Sequence, residues 1–126
     1  MKNQAICNEP AHGAIEYLSS QSASESGRVR ITPTDGRPAV VFEGLLVASV
    51  DTQRPNSGRW TEIDIFRTRR GRYVIAQIGV STIPGDQCFC SIEVSKSLQA
   101  ISEHLGYSKL AAKIYANLNI EEVCIP

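Results

Sequence analysis

Four arginines crowd into six consecutive positions: Arg67, Arg69, Arg70 and Arg72. A guanidinium group stays charged at any physiological pH and offers a planar fork of donors. Such a cluster can grip phosphates bidentately or meet an acidic protein surface. The neighbouring Phe66 and Tyr73 are ring types on which nucleobases stack, and a two-stranded ribbon can enter a DNA major groove. A plainer use for a charged loop tip is to keep a sheet edge soluble. Lysine is the usual residue for that task, and none occurs between Lys2 and Lys96.

A second group is acidic. Glu62 and Asp64 lie two residues apart, which on a strand puts both carboxylates on one face. Paired acids bind Mg²⁺ or share acid and base roles. A metal-dependent nuclease would add a third acid and a lysine; Glu43 or Asp51 can serve as the acid, but the lysine is missing. Pairing of Glu62 and Asp64 with arginines on adjacent strands is the simpler expectation.

The third group is Cys88-Phe89-Cys90, two thiols on one strand face. With Cys7, Cys124, His12 or His104 it would make a zinc site, yet the spacing lacks the C-x-x-C pairs of such sites. Adjacent C-x-C on an extended strand also spaces the sulfurs poorly for a disulfide. Small buried hydrophobes are the default role for free cysteines. His104 stands one residue before Leu105 near the end of an expected helix, where its charge favours the helix dipole. No Walker loop, G-x-G-x-x-G, G-x-S-x-G or H-E-x-x-H occurs. No catalytic residue, metal ligand or cofactor is assigned on these grounds.

The chain of 126 residues has 13 basic and 13 acidic side chains. That zero balance counts against a protein living on non-specific DNA binding. The charge is unevenly spread. Arg28 to Arg72 holds nine arginines against five acids, hence about +4, and the segments on either side are each net negative. An anionic partner would be met by the central sheet. No apolar run approaches the roughly 20 residues that span a bilayer, and Met1–Pro10 has no apolar core of an export signal. Four cysteines in such a chain are expected as reduced thiols, in the cytoplasm.

These residues need elements to position them. Residues 1–27 read as an arm, with a short helical pattern at Ala14, Ile15, Tyr17 and Leu18 and then a serine-rich linker. Residues 28–126 read as one α+β domain. Its strands are expected from Arg28, from Pro38 to Asp51 with a bulge or bend at Gly44, from Arg59 to Arg67, from Tyr73 to Thr82, and from Cys88 to Val94. This is an antiparallel meander of about five strands. Asp35-Gly36 and Gly71 mark two of its turns. A helix capped by Ser95 or Ser97 and another capped by Ser108 follow, expected to pack on one face of the sheet. Val123 and Ile125 suit an extra edge strand. Alternation puts Ile63 and Ile65 on one face and Trp60, Glu62, Asp64 and Phe66 on the other. The wholly apolar set Val74, Ala76, Ile78 and Val80 is expected with Ile63 and Ile65 in the core. Trp60, Phe66, Tyr73 and Ile75 would then make the second face unusually apolar, a patch that seeks a partner and allows a homodimer.

Arg59-Trp60-Thr61-Glu62-Ile63-Asp64-Ile65-Phe66-Arg67-Thr68, followed by Gly71-Arg72-Tyr73-Val74, resembles a pattern in small uncharacterised bacterial proteins, many carried by mobile elements. The similarity covers about a third of the chain. It implies a phage or plasmid accessory protein, a setting that includes the anti-CRISPR inhibitors, which block host ribonucleoproteins by binding alone. The expected function is a non-enzymatic interaction module for a host protein or nucleoprotein. Its contact surface comprises Arg67, Arg69, Arg70, Arg72, Trp60, Phe66, Tyr73, Glu62 and Asp64. Direct nucleic-acid binding and a metal-dependent enzyme using Glu62 and Asp64 are the alternatives.

Overall fold

The computed structural model describes residues 14–19, 26–106 and 108–119. Six strands run in sequence order as one antiparallel sheet: β1 (Ile15–Tyr17), β2 (Gly27–Ile31), β3 (Val40–Asp51), β4 (Arg59–Thr68), β5 (Tyr73–Ser81) and β6 (Phe89–Ser95). Two short helices follow, α1 (Ile101–Leu105) and α2 (Lys109–Asn117). No helix among the described residues is long and apolar enough to cross a membrane.

The strand count is six because the helix expected at Ala14–Leu18 is β1. Ile15 and Tyr17 both favour strands; Ile15 stands opposite Ile31, and Glu16 opposite Arg30, whose Nη1 reaches Glu16 Oε1 at 3.5 Å. Three residues are too few to show a period, and the long-range pairing decides. Within β3 the irregularity falls between Leu46 and Ala48 rather than at Gly44. Gly44 answers a different need, since a Cβ there would sit 2.8 Å from the Phe42 ring.

The first helix is shorter than expected. Ser97 Oγ accepts from the Ala100 N–H (3.1 Å) and Ser95 Oγ donates to Ser97 O (2.9 Å), so both serines organise the turn before α1 instead of capping a longer helix. Ser108 caps α2 as its position suggests, accepting from the Ala111 N–H at 3.1 Å. Of the serine-rich linker, residues 20–25 lie outside the described residues, as do Cys7, His12, Cys124, Val123 and Ile125; at its ends Ser19 Oγ accepts from the Arg28 N–H at 2.8 Å and Gly27 opens β2.

The larger correction concerns which strand faces go together. The β4–β5 register pairs Trp60 with Val80, Glu62 with Ile78, Asp64 with Ala76 and Phe66 with Val74. Even-numbered residues therefore share one face and odd-numbered residues the other. Ile63 and Ile65 cannot share a face with Val74, Ile78 and Val80; they join Ile75. The sheet curls, so both faces carry a core. The inner cluster includes Val29, Ile31, Trp60, Phe66, Val74 and Ile78. The outer cluster joins Ala48, Ile63, Ile65 and Ile75 to Ile101 of α1 and Ile114 of α2. The irregularity at Leu46/Ala48 lets the adjacent Val47 and Ala48 both contribute to that outer cluster.

The curl is laced where the β2–β3 connection meets β6. Thr34 N–H donates to Cys90 O at 2.9 Å, and Cys90 N–H donates to Thr34 Oγ1 at 2.9 Å. Arg37 Nη2 donates to Ile92 O at 2.9 Å.

Candidate binding groove at the arginine hairpin

The turn joining β4 to β5 is built from its own residues. Thr68 N–H donates to Arg72 O (2.7 Å), Gly71 N–H to Thr68 O (2.9 Å), and Arg72 N–H to Thr68 Oγ1 (3.0 Å). Gly71 has φ +85, which side-chain-bearing residues rarely adopt. The tip is tied to β3 by Arg69, whose backbone N–H donates to Glu43 O and whose Nη1 donates to Glu43 Oε2, both at 3.0 Å.

The four arginines do not act as one patch. Arg67 lies on the odd-numbered face with Ile63 and Ile65. Arg69, Arg70 and Arg72 stand around a groove of about 520 Å³ whose apolar surface comes mainly from Val40, Phe42 and Val94, with Glu43 and the buried Val74 also in its lining. A further space of about 380 Å³ continues past Val40 and Val94 toward Arg37 and Pro38. Phe42 is braced by Phe66, ring centroids 5.5 Å apart and edge-on.

Their partners differ. Arg69 pairs with Glu43, and both side chains are largely exposed; such surface pairs contribute little. Arg37 holds Asp35 at 2.8 Å, which lowers the Asp35 pKa and raises that of Arg37. Among the described residues neither Arg70 nor Arg72 is in an ion pair.

The aromatic residues expected at a contact surface are elsewhere. Phe66 is fully buried and Trp60 is 8% exposed, both in the inner cluster. Tyr73 packs against the outer cluster, on the opposite face from Phe66. The reason is the curl, which turns the face carrying Trp60 and Phe66 into a core wall. Neither ring of the pair Phe66 and Tyr73 is placed to clasp a base. The sequence pattern missed the apolar groove residues Val40 and Val94; Val94 is 53% exposed at an edge, and its place at the end of the last expected strand was the signal.

Glu62 and Asp64 share the inner face and line a cavity of about 230 Å³ with Tyr17 and Ser49. Each accepts a hydrogen bond from a neutral side chain of the sheet. Trp60 Nε1 donates to Glu62 Oε2 at 2.9 Å, and Ser49 Oγ donates to Asp64 Oδ1 at 2.6 Å. Partial burial, with the Asp64 charge, raises the Tyr17 pKa. No group of three or more His, Cys, Asp or Glu among the described residues is placed to hold a metal ion. Cys90 is buried on the same face, and burial raises its pKa to about 11, the reverse of a nucleophile's environment. His104 Nδ1 lies 3.7 Å from Glu93 Oε1.

The other end of the β4–β5 hairpin also carries an arginine. Arg59 Nε and Nη2 donate to Asp86 Oδ2 (2.6 Å) and Oδ1 (3.1 Å), and Ser81 Oγ donates to Asp86 Oδ2 (2.7 Å). The bonds from Arg59 and Ser81 lower the Asp86 pKa. This lock spans 27 positions, so no local motif announces it.

No protein-family model, no curated protein sequence and no solved structure matches this chain.

Proposed function

We propose that the protein is a non-enzymatic interaction module that seats an anionic, partly apolar surface of a protein or nucleoprotein partner in the groove below the arginine hairpin. The observation that carries this reading is the pairing of guanidinium groups with an apolar surface. Arg70 and Arg72 stand beside Val40, Phe42 and Val94; the carboxylate in the groove lining, Glu43, is paired with Arg69, and neither Arg70 nor Arg72 is in an ion pair among the described residues. Charge of this kind steers an encounter and selects its partner, while the apolar surface supplies the driving force.

A protein contact accounts for the groove better than naked nucleic acid does. Phosphate binding would use the arginines but leave the apolar surface without a role, and Phe66 has no exposed area for base stacking. The resemblance of the β4–β5 sequence to mobile-element accessory proteins supports the narrower form of the proposal. In that form the module is a phage or plasmid inhibitor that occupies a host ribonucleoprotein, as anti-CRISPR proteins do.

The test is capture from a bacterial lysate by the wild-type chain and by the Arg70→Glu/Arg72→Glu variant, each with and without nuclease. The proposal expects a protein retained by the wild type, kept after nuclease treatment and lost with the variant. Equal capture by both forms contradicts it. Capture that vanishes with nuclease points to nucleic acid instead; affinity for an oligonucleotide would then fall log-linearly with salt, and Arg72→Ala would flatten the slope by about one.

A further inference from the structure

The backbone of β6 adds something that the charges alone do not. Strand β6 pairs with β5 on one side, with Cys90 opposite Ile78, Ile92 opposite Ala76 and Val94 opposite Val74. Both backbone groups of Cys90 are used on the other side, by Thr34. In an antiparallel ladder this orientation repeats every second residue, so the N–H and C=O of Ile92 and Val94 also point away from β5. Ile92 O is taken by Arg37 Nη2 at 2.9 Å, a guanidinium standing where a neighbouring strand's amide would be. Among the described residues no backbone group bonds to the Ile92 N–H or to either backbone group of Val94.

The seam of the curl is therefore closed at Cys90, half closed at Ile92 and open at Val94. The open end is where the groove lies, with Val94 in its wall and Arg70 and Arg72 at its rim. An exposed valine on a free edge is a template for strand addition, and the nearest basic side chains select the charge of what is added. From these two observations we infer that the β6 edge binds an extended acidic peptide segment as an added strand. The Val94 N–H and C=O would bond to the peptide backbone, one peptide side chain would settle on Val40 and Phe42, and a carboxylate would meet Arg70 and Arg72. This inference rests on the proposed use of the groove and specifies what enters it.

The experiment titrates the full chain with a blocked Val-Glu-Val-Glu-Val-Glu peptide, followed by calorimetry and by amide NMR. Strand addition predicts that the Val94 and Ile92 amide signals move, and that affinity drops roughly tenfold or more in Arg70→Glu/Arg72→Glu. It also predicts that N-methylating alternate peptide amides, in one of the two possible registers, abolishes binding to the wild-type chain. Because that last arm alters the peptide only, it does not depend on any variant folding. Charge-dependent binding that ignores N-methylation in both registers overturns strand addition and leaves the groove reading intact. Binding that ignores the charge reversal overturns the groove reading itself, and no binding of the peptide overturns both. Val94 signals that shift with protein concentration alone, with a dimer in sedimentation, would assign the edge to a second copy of this chain and overturn the inference.

Discussion

The two ends of the β4–β5 hairpin carry the same side chain in opposite circumstances. At the open end Arg59 is clamped by both oxygens of Asp86, which Ser81 also holds. At the turn Arg70 and Arg72 have no carboxylate partner among the described residues, beside an apolar surface. An arginine satisfied by its own chain fixes a loop; one that is not satisfied keeps its charge available to something else. The number of arginines at a site thus says less than the accounting of their acceptors.

The largest test of that contrast removes what both ends stand on. Phe66 is fully buried, touches Phe42 beneath the groove and shares the inner cluster with Trp60 at the far end. Phe66→Ala should lower stability by about 3–5 kcal/mol, read by urea unfolding. A loss below about 1 kcal/mol would mean the inner cluster is not the support assumed here.

Next is the turn itself. Arg70→Glu/Arg72→Glu should leave unfolding stability within about 0.5 kcal/mol of the wild type, because neither side chain is paired within the described chain. A clear loss of stability would show that these guanidinium groups serve the fold and would collapse the contrast with Arg59.

At the opposite end, Asp86→Asn should destabilise the protein at neutral pH without touching acidic-peptide binding. The sign with pH follows from the lowered Asp86 pKa. A carboxyl depressed by folding stabilises the fold above its unfolded pKa of about 3.9 and loses that contribution as pH falls through the lower folded value. Asp35, lowered by Arg37, adds to the same acid window. Thermal melts from neutral to acidic pH should therefore show a steeper decline for the wild type than for Asp86→Asn.

The smallest effect is alkaline. Cys90, raised from 9.0 to about 11, ionises earlier in the unfolded chain than in the folded one. Stability from this group is present below pH 9.0 and is lost as pH rises toward about 11. Cys90→Ala should flatten that part of the stability profile, and an unchanged slope would mean that other groups set it.

The hairpin was legible in the sequence because its signals are local. Alternation in Arg59–Arg67 and Tyr73–Thr82 and the glycine at position 71 place β4, β5 and their turn within a residue of where they lie. What joins distant parts was not legible. Face pairing across the hairpin depends on register parity, and with apolar residues on both faces the pattern admits either choice. The pairing Ile15 with Ile31 that makes β1 a strand, the lacing of Thr34 to Cys90 and the clamp of Arg59 by Asp86 all link residues far apart in the chain. Of the expected contact residues, Arg69, Arg70 and Arg72 gather at the groove, while Trp60 and Phe66 are consumed by the inner core and Tyr73 joins the outer one.

The most direct measurement compares Arg59→Ala with Arg70→Glu/Arg72→Glu in two readouts, thermal stability and affinity for an acidic peptide. A crossed result is expected: Arg59→Ala melts earlier and binds as the wild type does, whereas the double reversal melts as the wild type does and binds at least roughly tenfold more weakly. If both variants lose affinity to the same degree, or neither does, the two ends of the hairpin are not different in kind and the groove has no claim to be the binding site.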